Sequence, residues 1–337
     1  MRGFPALLLL AFLTARAAGA QELVRIPGTL ATDDGLLRSY DVYEASDPAA
    51  GLRPLLLVFH GGGSGKDTTP AVTCATGDVA DARCLNRLAA LGPERYVVVY
   101  PQGFLGTWNA GNCCGPAMRN GIDDVAFVAR LLDRLEADFG VDPARVYATG
   151  ISNGAMLSHR LACELSDRIA AIAPVAGGIG IPDAECRPER PVPVLEFHGT
   201  ADQNYPYEGG VGGGISPTDF IGIPETIAGW VGRDGCSGDF DEARLPDAPP
   251  EDGTTVFQDT HADCRAGTEI VLDRIEGGGH TWPDGSPALA QAGLGIVSRD
   301  VNANQAMLDF FARQAARKRR SPILPGPADR RPRTVDR

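Results

Sequence analysis

Past residue 20 the chain has no apolar run long enough to cross a bilayer. It has no paired C-x-x-C knuckles, which leaves a structural zinc site without its usual framework. Cations are in deficit: 31 Lys and Arg face 43 Asp and Glu, a net charge of −12. That balance argues against nucleic acid as the main partner. No phosphate-binding loop is present, because Gly61 to Lys66 is too short for one and Asp67 follows the lysine. No internal repeat is visible. Histidine is scarce, with five in 337 residues, so a histidine with a chemical task can be sought by elimination.

Residues 1–20 have the layout of a secretory signal: Arg2, an apolar run from Ala6 to Leu13, and Ala18-Gly19-Ala20 before a cut at Gln21. The run is too short to span a membrane, so an exported, extracellular or periplasmic protein without a membrane span is expected. The cysteines, Cys74, Cys84, Cys113, Cys114, Cys163, Cys186, Cys236 and Cys264, are even in number, which in an exported chain favours disulfides. From Arg313 onward nine Arg and Lys stand against Asp329 and Asp336. Residues 316–337 are expected to be a basic, disordered tail, behind a single folded domain over 21–315.

Glu22 to Tyr43 alternates apolar and polar residues around Asp33-Asp34-Gly35, the pattern of a hairpin. Arg53–Phe59, Tyr96–Tyr100, Val146–Thr149, Ile169–Val175, Pro193–His198 and Glu269–Ile275 read as buried strands. Leu85–Leu91, Ile122–Phe139, Asn153–Leu165, Pro224–Asp234 and Asn302–Ala315 read as helices. Asp123 or Asp124 suits a helix cap better than chemistry. Residues 237–263 form an acidic, proline-bearing excursion. Alternation of strand and helix from Leu55 to Ile275 predicts an α/β fold, a mainly parallel sheet with helices on both faces.

Gly150-Ile151-Ser152-Asn153-Gly154 fits G-x-S-x-G between a strand and a helix. A serine on that sharp turn stands at a helix N-terminus, where backbone N–H groups favour an oxyanion. In such sheets reactive groups gather at the carboxyl ends of strands. Ser152, Asp202 and His280 each follow a strand, in the chain order of α/β-hydrolases. A serine nucleophile needs a neutral imidazole to take its proton and a carboxylate to orient that imidazole. His60 precedes a glycine loop, His159 lies two turns along the helix after Ser152, His198 ends a strand and His261 lies in the excursion. His280, after three glycines, is the base of choice. Asp202 is the acid, with Glu208 and Asp234 in reserve. The oxyanion donors are the N–H of Asn153 and that of Gly62 or Gly63.

Seven short motifs occur in order: Phe59-His60-Gly61-Gly62-Gly63-Ser64, Val99-Tyr100-Pro101-Gln102-Gly103, Trp108-Asn109 with Cys113-Cys114-Gly115, Ile122-Asp123-Asp124-Val125, the Ser152 motif, His198-Gly199-Thr200-Ala201-Asp202 and Gly279-His280-Thr281-Trp282-Pro283. Together, over roughly residues 38 to 312, they resemble the polyhydroxybutyrate depolymerase and feruloyl esterase family. The resemblance implies a secreted α/β-hydrolase that cleaves carboxylic esters with Ser152, Asp202 and His280 as triad, and no metal or organic cofactor. It leaves open whether the ester is a polyester oligomer or a feruloylated cell-wall polysaccharide. The rivals are a serine peptidase of the same fold and a non-catalytic exported binding protein. A monomer is expected.

For substrate contacts the aromatic candidates are Trp108, Trp282 and Tyr205. Cys236 and Cys264 bracket the excursion and are expected to pair, as are Cys163 and Cys186. Adjacent cysteines bond to each other only with strain, so Cys113 and Cys114 are expected to cross-pair with Cys74 and Cys84.

Overall fold

The computed structural model describes residues 21–320, except residue 49 and residues 215–217, and not the side chains of residues 318–320. The expected signal, residues 1–20, and residues 321–337 of the expected tail lie outside the described residues.

The predicted hairpin is present. β1 (Leu23–Ala31) pairs antiparallel with β2 (Leu37–Ala45). In its turn Gly35 takes φ +79°, a conformation that suits glycine, and Asp34 Oδ1 accepts from the Leu36 N–H at 3.2 Å. β3 (Arg53–Phe59) is buried at every residue, as a strand covered on both faces must be. Two short helices, α1 (Thr69–Val72) and α2 (Leu85–Leu91), lead to β4 (Val97–Pro101). α3 (Gly115–Arg119) precedes α4 (Asp124–Phe139). Asp123 caps α4, accepting from the Ala126 N–H at 2.9 Å, and Gly140 ends it in the left-handed region. Asp124 is structural too: it is buried, pairs with Arg38 at 2.8 Å and accepts from the Asn109 N–H at 2.7 Å.

β5 (Val141–Ile151), α5 (Asn153–Glu164), β6 (Ala171–Val175) and β7 (Val194–Gly199) follow. β8 (Gly210–Val211) and β9 (Asp219–Phe220) make a small separate ribbon. Then come α6 (Ile223–Asp234), β10 (Asp241–Arg244), β11 (Thr255–His261), β12 (Ile270–Glu276), α7 (Ala288–Gln291) and α8 (Ala303–Arg320).

Ten strands form one sheet in the order β1-β2-β4-β3-β5-β6-β7-β12-β11-β10. The run from β4 to β12 is parallel, and the two strands at each edge are antiparallel. Side chains of β3 alternate between two cores. Leu55, Leu57 and Phe59 pack with Val128 and Leu131 of α4 and Leu157 of α5. Leu56 and Val58 pack with Ala89 of α2 and with Met307 and Phe310 of α8. The chain leaves β3 for β4 on one side and returns to β5 on the other. The crevice between the ends of β3 and β5 is therefore a topological switch point, where such sheets place their ligands.

Three expectations need correction. Residues 237–263 are not a plain excursion: β10 and β11 extend the sheet, with Val256 buried beside β12 and Phe257 under the Arg274 guanidinium. The closing helix does not stop at Ala315. Gln314 and Arg317 both reach Glu269, at 2.6 and 3.1 Å, and basic side chains suit a helix C-terminus, so α8 continues to Arg320. The cysteines do not cross-pair: Cys74 bonds Cys84 and Cys113 bonds Cys114, while Cys163–Cys186 and Cys236–Cys264 are as expected. Cys74 and Cys84 flank a short loop on the α8 side, where Asn304 Nδ2 donates to the Thr73 and Arg83 carbonyls. Cys113 and Cys114 lie in the core of the α4 and α5 face, across the sheet.

Candidate active site

The turn from β5 to α5 holds Ser152 at φ 58°, ψ −120°. A non-glycine residue there costs about 1–3 kcal/mol, and such strain collects at functional sites. Its surroundings enforce it. The Ser152 N–H donates to the Val175 carbonyl at 2.9 Å. A Cβ on Gly150 would lie 2.6 Å from the Phe59 carbonyl oxygen, and one on Gly154 2.4 Å from the same atom. Both motif glycines are thus required by the close crossing of β3. Ser152 lines a cleft of about 240 Å³.

His280 lines the same cleft. Its loop leaves β12 through Gly277-Gly278-Gly279. A Cβ on Gly279 would meet the Leu294 carbonyl at 2.3 Å, so only glycine lets the loop pack there. The His280 N–H donates to that same carbonyl at 2.7 Å. Its Nδ1 lies 2.6 Å from Asp202 Oδ2. Asp202, buried in the turn after β7, also accepts through Oδ1 from the N–H groups of Asn204 and Tyr205, at 2.8 and 2.9 Å. With Oδ1 occupied by those two N–H groups, Oδ2 is the oxygen left to accept an Nδ1–H from His280, the tautomer in which Nε2 is the acceptor. The reserve acids are elsewhere. Asp234 holds the Val192 N–H at 3.1 Å, and burial pushes its carboxyl up to about 6. Glu208 lines a separate polar cavity.

The glycine loop after β3 divides the two expected donors. Gly62 lines the cleft, and its N–H has no acceptor among the described residues. Gly63 does not line it, and its N–H is spent on the Gly106 carbonyl at 2.8 Å. His60 shapes the loop, as expected. Its Nδ1–H donates to the Gly61 carbonyl at 2.8 Å and its Nε2 accepts from the Gly103 N–H at 2.8 Å. Burial holds that imidazole down to about 4. Asn153 lines the cleft as well. Its side chain clamps Trp108, with Oδ1 accepting from the N–H at 2.7 Å and Nδ2 donating to the carbonyl at 2.9 Å.

Two of the three expected aromatic contacts are misplaced. Trp108 is fully buried beneath the glycine loop, its indole N–H donating to the His60 carbonyl at 3.0 Å. Trp282 is fully buried with its indole N–H on Asn304 Oδ1 at 3.0 Å. Each indole found a hydrogen-bond partner in the interior, which makes burial cheap. Tyr205 does line the cleft, stacked on Phe220 with centroids 4.3 Å apart. Phe220, Met156, Val72, Leu289 and Leu294 also line the cleft, as do Cys113 and Cys114, and the sequence marked none of them as a wall of the site. No local signal marks these residues, because they come from five separate segments.

No family model matches the chain. Individual proteins do. "Putative esterase NocK" of Nocardia uniformis subsp. tsuyamanensis is 32% identical over 289 residues, covering 82% of this chain and 80% of that protein. "Feruloyl esterase B" of Piromyces equi is 33% identical over 190 residues, 55% of this chain but only 33% of that protein. "Poly(3-hydroxyalkanoate) depolymerase C" of Paucimonas lemoignei is 35% identical over 95 residues, 27% of this chain and 23% of that one. Among solved structures, a CE1 ferulic acid esterase from Anaeromyces mucronatus has a TM-score of 0.50 at 15% identity, over 79% of this chain and 88% of that one. At that identity the likeness speaks to the fold alone, and it agrees with an α/β-hydrolase. On these matches, the chain belongs to the polyhydroxybutyrate depolymerase and feruloyl esterase family of carboxylic ester hydrolases.

Proposed function

We propose that this protein is an exported serine esterase working through an acyl-enzyme, with Ser152 as nucleophile, His280 as base and Asp202 as the acid that orients it. The observation that carries the reading is the 2.6 Å contact of His280 Nδ1 with Asp202 Oδ2, at a cleft lined by both His280 and Ser152. With Nδ1–H given to Asp202, His280 Nε2 takes the serine proton as Oγ attacks the ester carbonyl. The N–H groups of Gly62 and Asn153 stabilise the oxyanion, each by roughly 3 kcal/mol. The tetrahedral intermediate collapses, the alcohol leaves with the proton from His280, and water activated by His280 releases the acid.

The cleft walls are mostly apolar: Val72, Leu289 and Leu294, with Met156, Phe220, Tyr205 and the Cys113–Cys114 bridge. Their size and the stacked Tyr205–Phe220 pair favour a compact, flat acyl group, as in a feruloyl ester of plant cell-wall polysaccharide. The aliphatic residues favour the second reading, a 3-hydroxybutyrate oligoester. Four disulfides among the described residues support export, with residues 1–20 as the signal and one catalytic domain following it.

The test is hydrolysis of methyl ferulate and of a soluble 3-hydroxybutyrate oligomer by the purified protein beside Ser152→Ala. Ferulate turnover lost in the variant supports the first reading, and oligomer turnover alone the second. A variant that matches the parent on every ester would overturn the mechanism.

A further inference from the structure

Behind the triad lies a second set of titratable side chains that the mechanism above does not use. His159 of α5, Glu196 and His198 of β7 are all fully buried. The proton on each can be assigned by donor counting. The Trp230 indole N–H can only donate, and it lies 3.0 Å from His159 Nδ1, so that nitrogen accepts. The Tyr205 carbonyl can only accept, and it lies 2.9 Å from His198 Nε2, so that nitrogen carries a proton. The remaining ring nitrogens both face Glu196. His159 Nε2–H donates to Oε2 at 3.0 Å, and His198 Nδ1 stands 3.7 Å from Oε1.

Glu196 Oε1 and His198 Nδ1 are buried and neither makes a hydrogen bond, while the Gly177 backbone N–H acts on the Glu196 carboxyl and pulls against its protonation. Two lone pairs facing each other at 3.7 Å in a buried setting repel, and a single proton on either atom removes that repulsion. A carboxylate with an imidazolium would bury two charges; a carboxylic acid with a neutral imidazole buries none. The charged and titratable neighbours are Arg233 from α6, Asp202, Tyr205 and Tyr207 from the segment after β7, and His280. The Arg233 cation opposes an imidazolium on His159, whereas Asp202 and the Tyr205 carbonyl favour one on His198, and there burial outweighs them. Burial agrees in direction: it drives the Glu196 carboxyl well above the usual carboxylate range and holds the His198 imidazole down to about 4. The other face of His198 meets the triad. Its Nε2 lies 3.5 Å from Asp202 Oδ2, the oxygen that His280 Nδ1 contacts.

We infer that Glu196 and His198 form a neutral, proton-ordered pair beneath the triad, with the proton on Glu196, and that His198 is a positioning residue for ester hydrolysis whose Nε2–H faces Asp202. The inference rests on the triad reading for its consequence, but not for the protonation of the pair. The Nε2–H draws charge from Oδ2. Without it Asp202 binds an imidazolium more tightly, and the basicity of His280 rises.

The experiment has two arms on the intact protein. Imidazole 15N spectra from pH 5 to 8, with the His198 signals assigned by their loss in His198→Gln, should show His198 neutral and protonated at Nε2 throughout. In the kinetic arm, His198→Leu should lower kcat about tenfold with KM little changed, and move the acid limb of the pH profile to higher pH. His198→Gln, which keeps a donor near Nε2, should recover most of that loss. An imidazolium signal for His198 at pH 7 would overturn the protonation. An unmoved acid limb in both variants would overturn the positioning role. Ser152→Ala run beside them separates the readings: activity surviving in that variant removes the triad, while the spectra still judge the pair.

Discussion

Asp202 meets His280 through one carboxylate oxygen and two backbone N–H groups through the other, so its side chain has no freedom to turn away. Rigid placement of this kind holds an imidazole in one tautomer. Asp202→Asn would present an amide N–H where His280 now donates, or rotate and lose the backbone contacts. A kcat loss of roughly 10³–10⁴ on a short p-nitrophenyl ester is expected, with little change in melting temperature. A loss below tenfold would mean that another acid orients His280.

The Asn153 clamp should be worth measuring on its own. In Asn153→Ala the Trp108 N–H is left buried without a partner, while its carbonyl keeps the Cys114 N–H at 3.0 Å. A stability loss of about 2 kcal/mol in urea denaturation is expected, with kcat/KM falling because the loop carrying the Cys113–Cys114 wall is released. Asn153→Asp keeps the acceptor and should lose less.

Phe220 forms one wall of the cleft and stacks on Tyr205. Phe220→Ala should raise KM for methyl ferulate and lower kcat/KM about tenfold, the scale of a lost aromatic contact with its buried area. Equal effects on acetyl and feruloyl esters would show that this wall does not touch the acyl group.

Asp273 of β12 is fully buried, with Oδ1 on the Gln258 amide at 2.9 Å and Oδ2 unpartnered. Burial pushes its carboxyl up to about 7, against the pull of Gln258. Between about pH 4 and pH 7 the native state therefore holds a proton that the unfolded chain has lost, and this group's contribution to stability falls as pH rises. Asp273→Asn removes that dependence. Its stability relative to the parent should rise by up to about 1.4 kcal/mol per pH unit across that window and level off above it. Urea midpoints at pH 5, 6, 7 and 8 check this, and a gap independent of pH would contradict it.

The residues that read most clearly are those whose role is set locally. Gly150, Ser152 and Gly154 form a turn whose chemistry is visible in five residues, and β3 is a run that can only be a covered strand. Asp123 announces a cap. The site residues that read poorly are large and apolar. Trp108 and Trp282 look like surface binders because indoles often are, yet each met a carbonyl or amide oxygen inside and stayed there. Phe220 sits beyond a glycine tract that gives no periodicity to read.

From its own order of residues, then, the chain determined the alternation of strand and helix, the strained serine turn, and the order of Ser152, Asp202 and His280 along the sheet. These follow from side-chain period, glycine sterics and strand burial, which act over a few neighbours. Tertiary structure alone decided which cysteines meet, which glycine N–H stays free for the cleft, which aromatics line it, and that His198 and Glu196 stand behind Asp202. Each of those depends on distances between segments far apart in the chain, and only the packing of the sheet against its two helical layers sets them.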